Sequence, residues 1–357
     1  MSSREQELPF VPAELNRDVI GAEAVGVRGR ISDPTPLPRY RDAAGEDVDF
    51  PPVDNGLDYL VSVVDGLERD EYGERPGPRK LKYAVLHLQA AAEVLLKARL
   101  EIEHWTLVTE NITNKKVSRE KFEKGEFTSI TPEEAVRRIR EIVGEEISKE
   151  EAAGLDKLTK RRNALQHYRL TTTYEEIESL TAEVLVFLMR FLHESLLPRL
   201  TPAEHDRIKD DLTYVTGGTI RIQRYVTERM EQIRPALKGK DECIVQCPRC
   251  AQDAVLVTGN GGHRAAEAAK CLFCRTTWTA DALATDYVLY HLAGFFQDDV
   301  PPCPTCHRNR PVVRYVVRGT EMNAPRDSDR SPYDSVTFCF ACARPAAEAP
   351  AAPAHPA

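Results

Sequence analysis

The chain has 357 residues, a formal net charge of −8 and hydrophobic residues at 42% of its positions. This composition excludes disorder over the whole length and disfavours a generally basic protein that coats nucleic acid. The longest strongly apolar run, Val184–Met189, ends at Arg190, far short of the ~20 residues of a membrane span. The N-terminus has no apolar signal-like core, so we expect a cytoplasmic protein with no membrane contact.

The first part of the chain is predicted to be an acidic arm followed by helices. Residues 1–56 hold seven prolines and six arginines against eleven acidic residues, which predicts partial disorder with one short helix near Val19. Leu81–Ile102 is rich in Ala and Leu and apolar on almost every face, so it predicts a central buried helix. Further helix starts, each a Ser or Thr followed three residues later by Glu, occur at Thr131, Ser148, Thr172 and Thr201.

Helix ends are predicted from glycine and proline. Gly144 closes the helix that starts after Thr131, and Gly154 is expected to break the next one. The helix after Thr172 is expected to run to about Leu197, just before Pro198. The chain is then expected to stay helical to about Leu237.

One predicted helix, Leu155–Arg169, concentrates polar groups on one face. Its Lys157–Leu170 stretch holds five cations and no acid. At ~100° per residue, Arg162, Gln166, Asn163, His167 and Lys160 fall within one arc, and the opposite side gathers an apolar set. That apolar set is Leu158, Ala164, Leu165 and Tyr168. An imidazole, a guanidinium and amides are what RNA cleavage without a metal needs, although a solvated helix face is the simpler interpretation of the pattern alone.

All nine cysteines lie after residue 240, and eight of them form four C-x-x-C pairs. The first two pairs, Cys247/Cys250 and Cys271/Cys274, are separated by 20 residues, which is close to the usual zinc spacing. The last two, Cys303/Cys306 and Cys339/Cys342, are separated by 32 residues and need a longer hairpin. Two two-residue-spaced thiolate pairs complete a tetrahedron, so we expect two structural Zn²⁺ ions rather than disulfides or a redox motif. Cys243 is left over and is expected to be a plain buried thiol.

The cysteine region is expected to contain short strands. Ala254–Thr258 and Thr276–Thr279 are predicted around the first set, and Leu283–Leu292 as a linker helix. Val312–Val317 and Ser335–Phe340 are predicted as a hairpin around the second set. Trp278 and Phe273, which lie near the second pair of the first set, are expected in the apolar core of that module. Four arginines near that hairpin are candidate nucleic-acid contacts, although such modules equally bind protein: Arg308, Arg310, Arg314 and Arg318.

Two segments together resemble HEPN domains. Arg162-Asn163-x-x-x-His167 is similar to the R-x(4–6)-H motif of that family, and Leu86–Ala98, with Glu93 and Lys97 in an E-x3-K-A arrangement, resembles its first long helix. The resemblance covers roughly residues 57–200. Each four-cysteine set also resembles a zinc ribbon. We call each C-x-x-C turn with the residue that follows it a knuckle. The glycine usually found after the second cysteine is replaced in all four knuckles. The replacements are Ala251, Arg275, His307 and Ala343.

The HEPN resemblance implies an all-α dimer with a composite, metal-independent ribonuclease site. His167 would be the acid/base, Arg162 and Asn163 would hold the scissile phosphate, and the products would carry 2′,3′-cyclic phosphate and 5′-OH ends. Lys160, Gln166, Glu93 and Lys97 are possible supporting residues, although Glu93 and Lys97 have a plainer interpretation as an i,i+4 ion pair. RNA and a second copy are the expected partners, with a protein partner or antitoxin as a further option and a toxin, anti-phage or stress role.

The predicted organisation is multi-domain, an all-α bundle followed by small β zinc ribbons. The segments are an arm at 1–56, a HEPN-like bundle at 57–200, a helical extension at 201–240, a first ribbon at 241–282, a linker helix at 283–299, a second ribbon at 300–343 and an Ala/Pro tail at 344–357. No catalytic metal is expected. The main alternative is an inactive HEPN scaffold whose ribbons bind nucleic acid or protein, and a weaker one is a DNA-associated regulatory factor.

Overall fold

The computed structural model describes residues 49–69, 72–110, 117–259, 267–291, 303, 305–307 and 338–345. These residues divide into two compact units, a helical unit that ends at Glu231 and a cysteine unit that begins at Gln232. The predicted order of a mostly helical part followed by a small antiparallel sheet and cysteine clusters is confirmed. The helix near Val19, the strand at 312–317 and residues 346–357 of the predicted tail lie outside the described residues. The first two residues of that tail, predicted at 344–357, form a strand instead, because they pair with Phe338–Cys339.

The helical unit consists of seven helices and the start of an eighth within its described part. They are α1 (Pro52–Leu67), α2 (Pro78–Glu103), α3 (Arg119–Glu123), α4 (Pro132–Arg138), α5 (Lys149–His167), α6 (Tyr174–Phe191), α7 (Pro202–Thr219) and α8 (Gln223–Leu237). The first helix begins at Pro52, so the last five residues of the predicted arm are helical, and Val53 is buried there.

The core lies around α2, which contacts α1, α4, α5 and α6. Leu88, Leu95 and Leu96 of α2 are fully buried, as the apolar composition of this helix predicts. Close approach to α1 is possible because Gly56 has no side chain: a Cβ there would lie 2.5 Å from Leu95 Cδ2.

The predicted helix starts are confirmed at Thr131, Ser148 and Thr201, whose side chains accept hydrogen bonds from Glu134, Glu151 and Glu204 backbone N–H groups. The start predicted at Thr172 lies one residue later, because Thr173 is the residue that caps α6. Gly144 ends its helical segment in the left-handed region, at φ 77°, as expected.

Two predicted boundaries differ from the structure. Gly154 does not break a helix, because α5 is continuous from Lys149 to His167 and Gly154 packs against Glu183 and Val184 of α6. The end predicted near Leu197 is confirmed, since α6 continues from Phe191 into a π-helical turn (Leu192–Leu196) and a 3₁₀ turn (Leu197–Arg199). The helical stretch to Leu237 is interrupted after Thr219, which separates α7 from α8.

The residues expected as a helical extension pack on α1 as α7. Arg207 donates to Asp54 at 2.7 and 3.1 Å, and Tyr214 donates to Asp65 at 2.6 Å. One turn beyond Tyr214, a Cβ at Gly218 would lie 2.0 Å from Val64 Cγ1. The contact therefore requires a residue without a side chain at this position.

The cysteine unit contains two small sheets and one helix. Strands β1 (Ile244–Gln246), β2 (Asp253–Val257), β3 (Ala269–Cys271) and β4 (Thr277–Trp278) form an antiparallel sheet in chain order. Helix α9 (Ala280–His291) follows where the linker helix was predicted, and β5 (Phe338–Cys339) pairs with β6 (Arg344–Pro345). The partner of β5 among the described residues is therefore β6, whereas the predicted partner lies outside them. Trp278 and Phe273 are buried, as predicted.

Candidate functional site: two cysteine centres and the α5 motif

The eight paired cysteines form two four-sulfur clusters. In each cluster the ligand atoms all lie within 4.8 Å of one another. The first joins the Cys247 pair to the Cys271 pair, with Sγ–Sγ distances of 3.7 Å for Cys247–Cys274 and for Cys250–Cys271. The second has Sγ–Sγ distances of 3.9 Å for Cys303–Cys342 and 3.8 Å for Cys306–Cys339. The predicted pairing of the C-x-x-C motifs is confirmed.

These distances fit a tetrahedral metal centre. A tetrahedron of sulfurs ~2.3 Å from a central Zn²⁺ has edges of about 3.8 Å, whereas a disulfide bond is ~2.05 Å long. Hydrogen bonding with Cys247, Cys271 and Cys274, together with burial, raises the pKa of Cys250 above its usual value. Burial likewise raises the pKa of Cys339. Four thiolates so close together would repel one another, and one divalent metal ion held by the four sulfurs of each cluster would balance their charge.

The four knuckles share one backbone conformation. The residue after the second cysteine of each pair has a positive φ: Ala251 at 56°, Arg275 at 63°, His307 at 53° and Ala343 at 54°. This conformation lets the backbone N–H fold back, so Ala251 donates to the Cys247 carbonyl at 2.9 Å and Arg275 to the Cys271 carbonyl at 2.8 Å. The knuckles therefore adopt the turn that glycine usually serves, although none of them contains glycine.

The two centres belong to one packed unit. Gly259, which follows β2, approaches Ala341 so closely that a Cβ would lie 2.7 Å from the Ala341 carbonyl oxygen. Tyr287 of α9 donates to the Gln246 carbonyl in the first sheet, and its ring lies 5.3 Å from that of Phe340 in the second. Cys243 is half-buried rather than buried, and its Sγ lies 3.5 Å from the Ala343 carbonyl oxygen. The four sulfurs of each cluster are compatible with a closed, structural zinc site.

The candidate catalytic motif occupies the last turns of α5. Arg162 points towards α2, where its Nε donates to Gln89 Oε1 at 2.9 Å. Its Nη1 donates to Asn163 Oδ1 at 2.9 Å, and its Nη2 lies 3.9 Å from Glu93 Oε2. The structure therefore brings Arg162 and Asn163 together and ties the guanidinium to α2 on one side, while Nη2 is too far from Glu93 for a hydrogen bond.

His167 is exposed at the C-terminal end of α5, one helical turn after the exposed Asn163. Among the described residues, no hydrogen-bond partner of the His167 ring is found. The apolar side of the motif is less buried than expected: Leu158 is fully buried, Ala164 and Leu165 are half-buried, and Tyr168 is 94% exposed. Tyr168 leaves the core because it is the residue after the helix, with φ −157° and ψ −89°.

Two of the possible supporting residues, Glu93 and Lys97, belong to a network of polar side chains. Lys97 donates to Glu93 and, at 2.8 Å, to Ser129 Oγ, and Gln89 donates to Glu93 at 3.2 Å. Burial alone would raise the pKa of Glu93, but Lys97, Gln89 and Arg162 together lower it below its usual value. Glu93 and Lys97 thus form the expected i,i+4 pair within a network that also orients Gln89 towards Arg162.

The remaining candidates lie at the surface or outside the described residues. Lys160 pairs with Asp156 at 2.6 Å, and Gln166 is exposed. The four arginines at 308, 310, 314 and 318 lie outside the described residues. Sequence reasoning missed Gln89 and Ser129, the two uncharged members of the network. The position of Gln89 one turn before Glu93 on α2 was the signal that could have identified it.

The fold and these sites define a helical bundle and a cysteine unit with two four-cysteine clusters positioned to hold a metal ion. Comparison with protein-family models, curated proteins and solved structures finds no match to this chain. Within the described residues, no helix is both long and apolar enough to cross a membrane.

Proposed function

We propose that the protein is a metal-independent endoribonuclease of HEPN type that acts as a dimer. The observation that carries the proposal is the combination of an anchored Arg162 and an exposed Asn163 and His167 on the last two turns of α5. Its setting would be the cytoplasm, in a toxin, anti-phage or stress role.

Each group has a role in transesterification of the RNA backbone. A base removes the proton of the 2′-OH, the 2′ oxygen attacks phosphorus, and the 5′ oxygen leaves and takes a proton from an acid. His167 is suited to one of these proton transfers because imidazole titrates near neutral pH, and a second copy of α5 would supply the other. The products are a 2′,3′-cyclic phosphate and a 5′-OH.

Arg162 and Asn163 would hold the crowded phosphate. Because the Nε of Arg162 is held by Gln89, the guanidinium is pre-oriented, and its Nη2 can donate to a phosphate oxygen. The lowered pKa of Glu93 keeps it ionised near neutral pH, so that it orients Gln89 and attracts Arg162. The two cysteine centres take no part in this chemistry and would serve to recruit RNA or a protein partner.

A second candidate function is a catalytically inactive scaffold. The observation that favours it is the engagement of Arg162, whose Nε and Nη1 are both used in contacts within the protein. In that case α5 would be a structural helix, and the cysteine unit would join a nucleic acid to a protein partner.

The proposal is tested by the cleavage rate of RNA in EDTA by dimeric, metal-loaded full chain. His167→Ala is expected to lower the rate by ~10²- to 10⁴-fold, the usual contribution of a proton-transfer group, with no change in melting temperature because the side chain is exposed. His104→Ala is the matched control, since His104 is also exposed but lies at the end of α2, and it should retain cleavage. Equal rates for wild type and His167→Ala would favour the scaffold.

A further inference from the structure

A second exposed surface lies on α2, next to the network that holds Arg162. We name it the α2 patch, and it consists of Arg79, Lys82, Tyr83 and His87 of α2 with Tyr59 of α1. Tyr83 is 41% exposed, and Arg79 and Lys82 are exposed. These residues have no role in the proposed transesterification.

The aromatic part of the α2 patch is a group of three rings. The His87 ring lies 5.8 Å from that of Tyr59 and 6.0 Å from that of Tyr83. Ser62 Oγ lies 2.6 Å from His87 Nδ1 and fixes the orientation of the imidazole. Burial lowers the pKa of His87, and nearby Asp58 opposes this shift only in part, so the ring is largely neutral near pH 7. The result is a preset aromatic surface of the kind on which bases stack.

The cationic part of the α2 patch is not neutralised by the protein. The Arg79 guanidinium carbon and the Lys82 Nζ lie 5.5 and 5.8 Å from the centre of the Tyr83 ring. Neither cation has an ion-pair partner in the part of the chain that the structure describes. Residues 75–92 contain four cations and no acid, so Asp58 is the acidic group that faces the patch from α1.

The α2 patch extends around α2 from the side that Arg162 contacts. Lys82 precedes Gln89, which accepts from Arg162, by seven residues, so these two residues lie on one side of α2, about 10 Å apart along its axis. Tyr83 and His87 are turned by ~120° and ~160° from Gln89, so the aromatic part of the patch faces the α1 side. Through the contact between Arg162 and Gln89, the basic segment Lys157–Leu170 approaches α2 near the cations of α2 itself.

We infer that the α2 patch binds single-stranded RNA that continues past Lys82 towards Arg162, with bases stacked on Tyr83 and His87 and phosphates held by Arg79 and Lys82. Single strands are the favoured occupant because a stacking surface needs unpaired bases, which a duplex does not offer. This inference rests on the proposed function, because it describes how that site would hold its substrate.

The test is the affinity of a fluorescein-labelled, mixed-sequence single-stranded RNA for metal-loaded full chain carrying His167→Ala, measured by anisotropy. Tyr83→Ala should weaken binding by about 5- to 100-fold, the range expected for one stacked base, and Tyr83→Phe should restore it. Arg79→Ala with Lys82→Ala should weaken binding and lower the slope of log affinity against log salt by about 1.4, that is ~0.7 per lost phosphate contact.

The matched control removes two exposed cations from another helix. Lys121→Ala with Lys124→Ala on α3 changes the net charge equally and should leave both affinity and salt slope near those of the parent. Patch variants that bind as tightly as this control, or a duplex RNA that competes as well as the single strand, would overturn the inference. If the wild type never cleaves RNA but its binding still depends on the patch, only the proposed function is contradicted. If the wild type cleaves RNA and the patch variants cleave it equally well, only this inference is contradicted.

Discussion

The two units of this protein are stabilised by different means. In the helical unit, long helices bury apolar side chains such as Leu57, Leu88 and Phe187 almost completely. In the cysteine unit, the strands are two to five residues long, and two four-cysteine clusters lie among a few buried apolar residues such as Val255 and Trp278. Short strands bury little apolar area, so we expect metal–thiolate bonds to supply much of the stability that apolar burial supplies in the bundle.

This contrast also separates the two kinds of candidate site. In each cysteine cluster the four sulfurs can supply all four ligands of a metal ion, which suits a structural role. The α5 motif ends at an exposed His167 and an exposed Asn163, so it is suited to contact with a substrate. We therefore expect removal of metal and changes in the bundle to have separable effects.

The largest expected effect is the loss of a metal ligand. Cys271→Ser should reduce bound zinc from two ions per chain to one and unfold the first sheet, because metal binding of this type contributes ~10–16 kcal/mol of apparent free energy in small zinc domains. The helices of the bundle should persist. Metal analysis by mass spectrometry and far-UV circular dichroism would check both expectations. Cys243→Ser, which removes the cysteine outside both clusters, should keep two ions; an equal loss of zinc in both variants would contradict the assignment.

An intermediate effect is expected at the glycine contact between α7 and α1. Gly218→Ala should lower the free energy of unfolding by ~1–3 kcal/mol, because the new Cβ would lie 2.0 Å from Val64 Cγ1 and the helices would have to separate. Gly154→Ala is the matched variant within α5. Its Cβ meets only the flexible end of Glu183 at 2.9 Å, so the helix propensity of alanine should keep stability unchanged or raise it by up to ~1 kcal/mol. Thermal melts that rank these variants in the reverse order would exclude this packing.

The smallest effect is expected at a knuckle. Ala251→Gly should raise the stability of the first sheet by up to ~1 kcal/mol, because glycine adopts a φ of 56° without the steric cost that alanine bears. Ala251→Val should lower it. Competition with a chelator measures the zinc affinity of each variant. A lower zinc affinity in the glycine variant would contradict the expected knuckle geometry.

Sequence patterns predicted local features well where one physical rule dominates. C-x-x-C spacing gave both clusters, because two thiolates two residues apart can contact a single ion. Ser148 and Thr201 marked helix starts, because their hydroxyls satisfy free backbone N–H groups. The apolar composition of Leu81–Ile102 predicted the central helix.

The failures are at positions where tertiary contacts decide. Gly154 was predicted to break a helix, yet it lies inside α5, because the capping at Ser148 and the packing of α5 on α6 outweigh the ~1 kcal/mol helix penalty of one glycine. Tyr168 was assigned to an apolar face that ends one residue earlier. Gln89 was missed because its role depends on Arg162, which lies 73 residues away in the chain. The candidate residues of α5 could therefore be identified from a sequence motif, whereas the residues of α2 that contact them could be identified only from the structure.

The most direct test of the central claim is the chemistry of the RNA ends. Wild type and His167→Ala would be incubated with a pool of tRNA and mRNA in EDTA, and the fragment ends would be mapped. The account predicts 2′,3′-cyclic phosphate and 5′-OH ends from wild type and intact RNA from the variant. Intact RNA with both proteins, each dimeric and loaded with metal, would contradict the ribonuclease and leave the scaffold as the better description.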